Sequence, residues 1–143
     1  MSGAFELDPR LGVDSQLVAD GPLSQLRLMD DLRFPWLVLV PRAGGASELA
    51  DLDGDAQALL WQEVAQANAA LRAWQPCDKL NLGALGNIVR QLHVHLVARR
   101  EGDATWPGPV WGNGAMQRAT QEQRSERLDG LRTRLDAGFW RLA

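Results

Sequence analysis

The chain predicts an α+β fold: a mostly antiparallel sheet of about five strands, one packed helix and an additional C-terminal helix. Three observations carry this. Apolar alternation and short apolar runs fill the first third, a stripe at helical spacing follows, and strand-like segments then return ahead of a charged helical stretch. With 143 residues, 45% of them hydrophobic, the chain suits one domain over 1–143, its core over 20–112 and its last helix over 120–142.

Each element has a local cause. Leu26 and Leu28 alternate with polar neighbours, Asp30-Asp31-Leu32-Arg33 supplies turn chemistry, and Trp36-Leu37-Val38-Leu39-Val40 is an apolar run stopped by Pro41, so two antiparallel strands are expected. Paired glycines make Arg42 to Ser47 a loop. From Asp55 to Trp74, Leu60, Val64, Ala67, Leu71 and Trp74 recur at three- and four-residue spacing, Pro76 stops the pattern, and the aspartates of 51–55 cap its start. Lys79-Leu80-Asn81-Leu82 reads as a strand, Gly83 to Asn87 as a turn, and Ile88 to Ala98 as the second strand of a hairpin. Arg99 to Asp103 ends that strand, and the two prolines and two glycines of 106–112 make a rigid loop bearing Trp106 and Trp111. These indoles suit packing or a dimer contact, or closure over a ligand. The final helix carries Leu128, Leu131, Leu135, Phe139 and Leu142 on one side, with Thr120 and Gln123 as its capping box.

A net charge of −3 and a pI near 5.3 give no basic field, which disfavours long nucleic acid as a partner. Cys77 is the single cysteine, so an internal disulfide and a multi-cysteine metal cluster are excluded. Met1 to Asp8 lacks the charge and apolar run of a leader, and no stretch is long enough to span a bilayer, so a cytoplasmic protein without membrane attachment is expected. Arginine outnumbers lysine fourteen to one, the bias of a GC-rich, bacterial genome.

The chain's two histidines stand one residue apart, in Gln91-Leu92-His93-Val94-His95-Leu96-Val97. Strand alternation would turn Gln91, His93 and His95 to one face and Leu92, Val94 and Leu96 to the other. Imidazole suits proton transfer, nucleophilic attack and metal ligation near neutral pH, although two satisfied strand histidines have the same spacing.

The segment from Asn81 to Val97 resembles the signature of the histidine triad (HIT) superfamily, His-φ-His-φ-His-φ-φ after a glycine-bearing turn, with Gln91 in place of the first histidine. The strand ending in Pro41-Arg42 and the Trp106-Pro107-Gly108 segment are similar to the family's as well. The resemblance implies nucleotide hydrolase or nucleotidyl transferase chemistry on a dinucleoside polyphosphate or phosphoramidate, with no cofactor and no metal, in a homodimer. It makes His93 the nucleophile at the α-phosphorus, held by the main-chain carbonyl of Gln91. It makes His95 a phosphate or leaving-group partner, a role suited to a protonated imidazole. Gly86 and Asn87 would contact phosphate, Asn81 would lie near the nucleotide and Asp31 would accept from the ribose hydroxyls unless these two are turn or capping residues, with Asp30 a neighbouring competitor of Asp31. Leaving-group assistance would fall to Asn87, the Gln91 side chain or water. Two other classes stand beside this one: a nucleotide-binding module without catalysis, and a His-x-His metalloprotein needing a third ligand from Asp31, Glu101 or Asp103.

Overall fold

A computed structural model describes residues 3–143; Met1 and Ser2, which open the stretch read for a leader, lie outside the described residues. Helix α1 (Pro9–Asp14) leads into β1 (Ser15–Asp20), β2 (Ser24–Met29) and β3 (Trp36–Pro41). Helix α2 (Gly54–Trp74), β4 (Lys79–Gly83), β5 (Val94–Arg99), α3 (Gln121–Arg132) and β6 (Arg141–Leu142) complete the chain. One six-stranded sheet has the order β4-β5-β3-β2-β1-β6, antiparallel at every pairing. This is the α+β arrangement expected, with one strand more than the five anticipated. No helix among the described residues is long and apolar enough to cross a membrane.

Both faces of the sheet are covered. Period-two alternation sends Leu26, Leu28, Leu37, Leu39 and Leu96 to one face, where they pack with Leu60, Ala67 and Leu71 of α2 and Leu131 of α3. Trp36, Val38, Val40 and Val97 point the other way, into a second cluster with Leu11, Met29, Phe34 and Val110. That face has no long helix over it. Its cover is the N-terminal arm, through Phe5 and Leu7, together with Trp111 and Met116.

The expected caps are present. Asp53 accepts from the Ala56 N–H at the start of α2, and Thr120 and Gln123 form the reciprocal box that opens α3. Gly130 lets α3 approach α2 closely, since a Cβ there would lie 2.8 Å from Trp74 Nε1.

Four expectations need correction. Strand β1 is absent from the sequence expectation because a bulge between Leu17 and Ala19 breaks the alternation that marks a strand, and the short helix α1 before it is absent too. Arg132 donates to the carbonyls of Leu17 and Val18 there, and this contact coincides with the end of α3. The last helix therefore stops at Arg132 and not near Leu142; the chain turns at Asp136–Gly138, buries Trp140 and pairs Arg141–Leu142 with β1. The histidine strand begins at Val94, not Ile88, and the segment before it is irregular backbone with Gly86 at φ +76°.

Glu63 of α2 is fully buried and joins helix to sheet. Its carboxylate accepts from the N–H groups of Leu23 and Ser24 at 2.9 and 2.8 Å and from Ser24 Oγ at 2.7 Å. Removing it leaves two buried donors of Ser24 and the half-buried Leu23 N–H without a partner. Glu63→Ala is expected to lower unfolding stability by about 3 kcal/mol or more, measured by urea denaturation, with a loss below about 1 kcal/mol contradicting the role.

Candidate active site

His93 lies immediately before β5 and His95 within it, and both rings are buried. Their centroids are 4.8 Å apart in an edge-to-face arrangement. His93 Nδ1 lies 2.7 Å from the Gln91 carbonyl oxygen. A carbonyl only accepts, so Nδ1 carries a hydrogen, and in the neutral ring Nε2 keeps its lone pair.

His95 is held in the opposite sense. The indole Nε1–H of Trp36 donates to His95 Nδ1 at 3.0 Å. An indole only donates, so His95 Nδ1 accepts and its hydrogen resides on Nε2. Burial, and after it the neighbouring His93, depress the His95 pKa from 6.5 to about 3. This corrects the expectation of a protonated assistant. His95 is a neutral donor through Nε2–H, because charging it would desolvate a cation and break the bond from Trp36.

The two rings border a cleft of about 410 Å³. Its walls come from α1 (Leu11, Asp14), the end of β2 (Met29), the turn before β5 (Gly86, Asn87, Ile88) and the aromatic loop (Val110, Trp111). Trp111 stacks edge-on to His95 with centroids 5.4 Å apart and sits over Gly83, where a Cβ would lie 2.8 Å from the indole. Trp106 instead packs against the Arg99 guanidinium. A smaller hollow of about 240 Å³ lies on the other side of His93, lined by Ser47, Glu48, Gly86 and Gln91 among others.

Of the residues nominated from sequence, His93, His95, Gly86 and Asn87 converge on the larger cleft, with Asn87 exposed at its mouth. Three do not line it. Asp31 is fully buried: Arg33 Nε and Nη2 and the N–H groups of Arg33 and Gln117 all donate to its carboxylate. Burial pushes its carboxyl up, and those donors outweigh burial and hold it below the usual range. The turn alternative therefore replaces the ribose contact. Asp30 is occupied too, accepting from the Ala119 N–H. Asn81 Oδ1 accepts from Arg99 Nη1, in a cluster where Asp103 also receives Arg99. The Gln91 side chain turns to the N-terminal arm, because 88–93 is not strand and alternation does not govern it.

The family model for the HIT domain matches residues 10–102. The chain belongs to the HIT family. It is a family of nucleotide-binding proteins whose members are generally hydrolases or transferases. A histidine triad protein from Sinorhizobium meliloti is 44% identical, with a TM-score of 0.88 over 92% of this chain and 97% of that one. One from Bradyrhizobium japonicum is 42% identical, with a TM-score of 0.89 over 94% of this chain and 100% of its own. A third, from Marinobacter aquaeolei, is 37% identical, with a TM-score of 0.90 over 93% and 97% of the two chains. No curated protein matches the chain.

Sequence reading of this HIT chain missed Trp36 as a site residue. The register pairs Trp36 with Val97, one step diagonal from His95, which is within reach of an indole. It also missed Leu11 and Asp14, whose helix was announced only by Asp8 as its N-cap and Pro9 as its first residue. Among the described residues no cluster of three or more His, Cys, Asp or Glu is placed to hold a metal.

The depressed His95 pKa links stability to pH. Between 6.5 and about 3 the unfolded chain binds a proton that folded His95 refuses, so this contribution is full above 6.5 and is lost as the pH falls. In this window stability should drop by up to about 1.4 kcal/mol per pH unit on this account. Urea unfolding at pH 7, 5.5 and 4.5 should give a flatter dependence for His95→Phe than for the parent, and equal slopes would contradict the assignment.

Proposed function

We propose that the protein is a bacterial nucleotide hydrolase or nucleotidyl transferase acting at the α-phosphate of a dinucleoside polyphosphate or nucleoside phosphoramidate. The observation that carries this reading is the opposed pair of tautomers. His93 presents a bare Nε2, and His95 presents an Nε2–H donor, at the border of one cleft.

Nucleophile and donor then divide the work. His93 Nε2 attacks the α-phosphorus, a P–N bond forms, and the bond to the leaving group breaks with its electron pair going to that group, which takes a proton from water when it is an amine. The ring becomes a nucleotidyl-imidazolium, whose positive charge the Gln91 carbonyl stabilises through Nδ1–H. His95 donates from Nε2–H to a phosphoryl oxygen as charge builds there, acting as a fixed dipole and not as an acid. Gly86, with its positive φ, and the exposed Asn87 amide supply further donors on the same side. Water then attacks the same phosphorus and gives up a proton to solvent, the P–N bond breaks with its electron pair returning to His93 Nε2, and nucleoside monophosphate leaves. The apolar part of the cleft, with Met29, Ile88 and Trp111, suits a base or an apolar leaving group.

The same reading places the protein in the cytoplasm as a homodimer. Strand β4 ends the sheet with an open edge, and beside it Leu49, Trp61, Leu82 and Val94 line an apolar groove. Trp61 is 53% exposed and Leu82 45%, enough to favour covering by a second copy in a two-fold, self-complementary contact. Light scattering should find a dimer at micromolar concentration that Leu82→Glu converts to monomer; a monomeric parent protein would overturn the contact.

The catalytic claim is tested by quenching turnover of an α-labelled adenosine phosphoramidate or dinucleoside polyphosphate. Labelled nucleotide should be bound to His93, and His93→Ala should lose the label and at least about a thousandfold in kcat/KM. Nucleotide binding by calorimetry without label or product would instead identify a binding module.

A further inference from the structure

The side chain of Gln91 stands where the motif otherwise has an imidazole, and it makes two hydrogen bonds across the fold. Its Nε2–H donates to the Glu6 carbonyl at 2.7 Å, and its Oε1 accepts from the Asp8 N–H at 2.8 Å. In extended backbone the carbonyl of one residue and the N–H two residues on point to the same side, so a primary amide can meet both as a neighbouring strand would. A carboxylate lacks the donor. An imidazole aims its two nitrogens in divergent directions and does not meet both groups side by side.

The segment so held leads directly into a wall of the site. Phe5 and Leu7 pack on the open sheet face, and a few residues on, Leu11 and Asp14 line the cleft beside His93 and His95. Gly44 provides a second anchor, since the carbonyls of Gly3 and Ala4 cross so near its Cα that a Cβ there would collide with them. The arm is thus fixed on both sides of Phe5. Residue 91 serves two purposes: its backbone carbonyl orients the nucleophile and its side chain anchors the arm.

We infer that Gln91 is a positioning residue that clamps the N-terminal arm, and that the clamped arm holds α1, whose Leu11 lines the cleft, in place as a wall against the apolar moiety of the substrate. The second half of this inference rests on the nucleotide reading above; the clamp itself does not. Replacing the side chain leaves the carbonyl on His93 in place, so substrate binding should suffer more than chemistry.

The test compares the full-length protein with Gln91→Met, which keeps the length but neither bond, and Gln91→Glu, which keeps only the acceptor. Hydrogen exchange of the amides of residues 5–11 should quicken about tenfold or more in Gln91→Met and less in Gln91→Glu, with β5 amides unchanged. With adenosine 5′-phosphoramidate, KM should rise about fivefold or more while kcat stays within about threefold, and deleting residues 1–7 should add little to the Gln91→Met effect. Unchanged arm exchange would overturn the clamp. Faster exchange with unchanged KM would overturn the wall, and a fall in kcat at constant KM would show that the side chain serves the chemistry. If the parent protein neither binds nor turns over nucleotide, the exchange data still decide the clamp, and it is the nucleotide reading that fails.

Discussion

Every residue of β3 and β5 is buried, so each polar atom carried by these strands must find its partner inside the protein. Trp36 brings an indole N–H into that interior and His95 brings two ring nitrogens, and each answers the other. The bond between them fixes the His95 tautomer, and the exclusion of water that makes the bond necessary also keeps the ring uncharged. His93 sits two residues earlier, just before the point where pairing starts, and its Nδ1 meets a carbonyl that the sheet does not consume. Opposite tautomers thus follow from the position of each ring relative to the strand end.

Water is excluded from this face by an unusual cover. Helices α2 and α3 pack over the opposite face, and here the cover consists of an N-terminal arm, a single-turn helix and an aromatic loop. Such segments hold position only through specific contacts. Asp31 and Asp30 receive the backbone of 117–119, Arg99 joins Asp103, Asn81 and Thr105 beneath the aromatic loop, and Gln91 receives the arm. Residues that resembled ligand contacts in the sequence are mostly the fasteners of this cover.

That distinction explains what the sequence disclosed. The α2 stripe, its Asp53 cap, the α3 capping box, the β2–β3 pair and the convergence of His93, His95, Gly86 and Asn87 were legible, because each depends on local spacing or on one turn. Strand β1 was hidden by its bulge, and β6 by a helical stripe that ran on past Arg132 in sequence but not in space. For Asp31 and Asn81 the choice between ligand contact and structural role was not legible, because Asp31 also receives the backbone of Gln117, 86 residues on, and Asn81 receives Arg99, 18 residues on. A carboxylate in a turn looks the same in sequence whether it faces a ribose or an arginine. Trp36 went unread for a related reason, since an indole reads as core until the register shows which ring lies diagonal to it.

The central claim is that Gln91 and Trp36 hold the two imidazoles in opposite neutral tautomers. Long-range ¹H–¹⁵N correlation spectra of the two rings at pH 7.5 and above test it most directly. The account predicts a hydrogen on Nδ1 and a bare Nε2 for His93, with a bare Nδ1 and a hydrogen on Nε2 for His95, the latter persisting well below pH 6. Both rings in the same tautomer, or a His95 that gains a proton near pH 6.5, would contradict it.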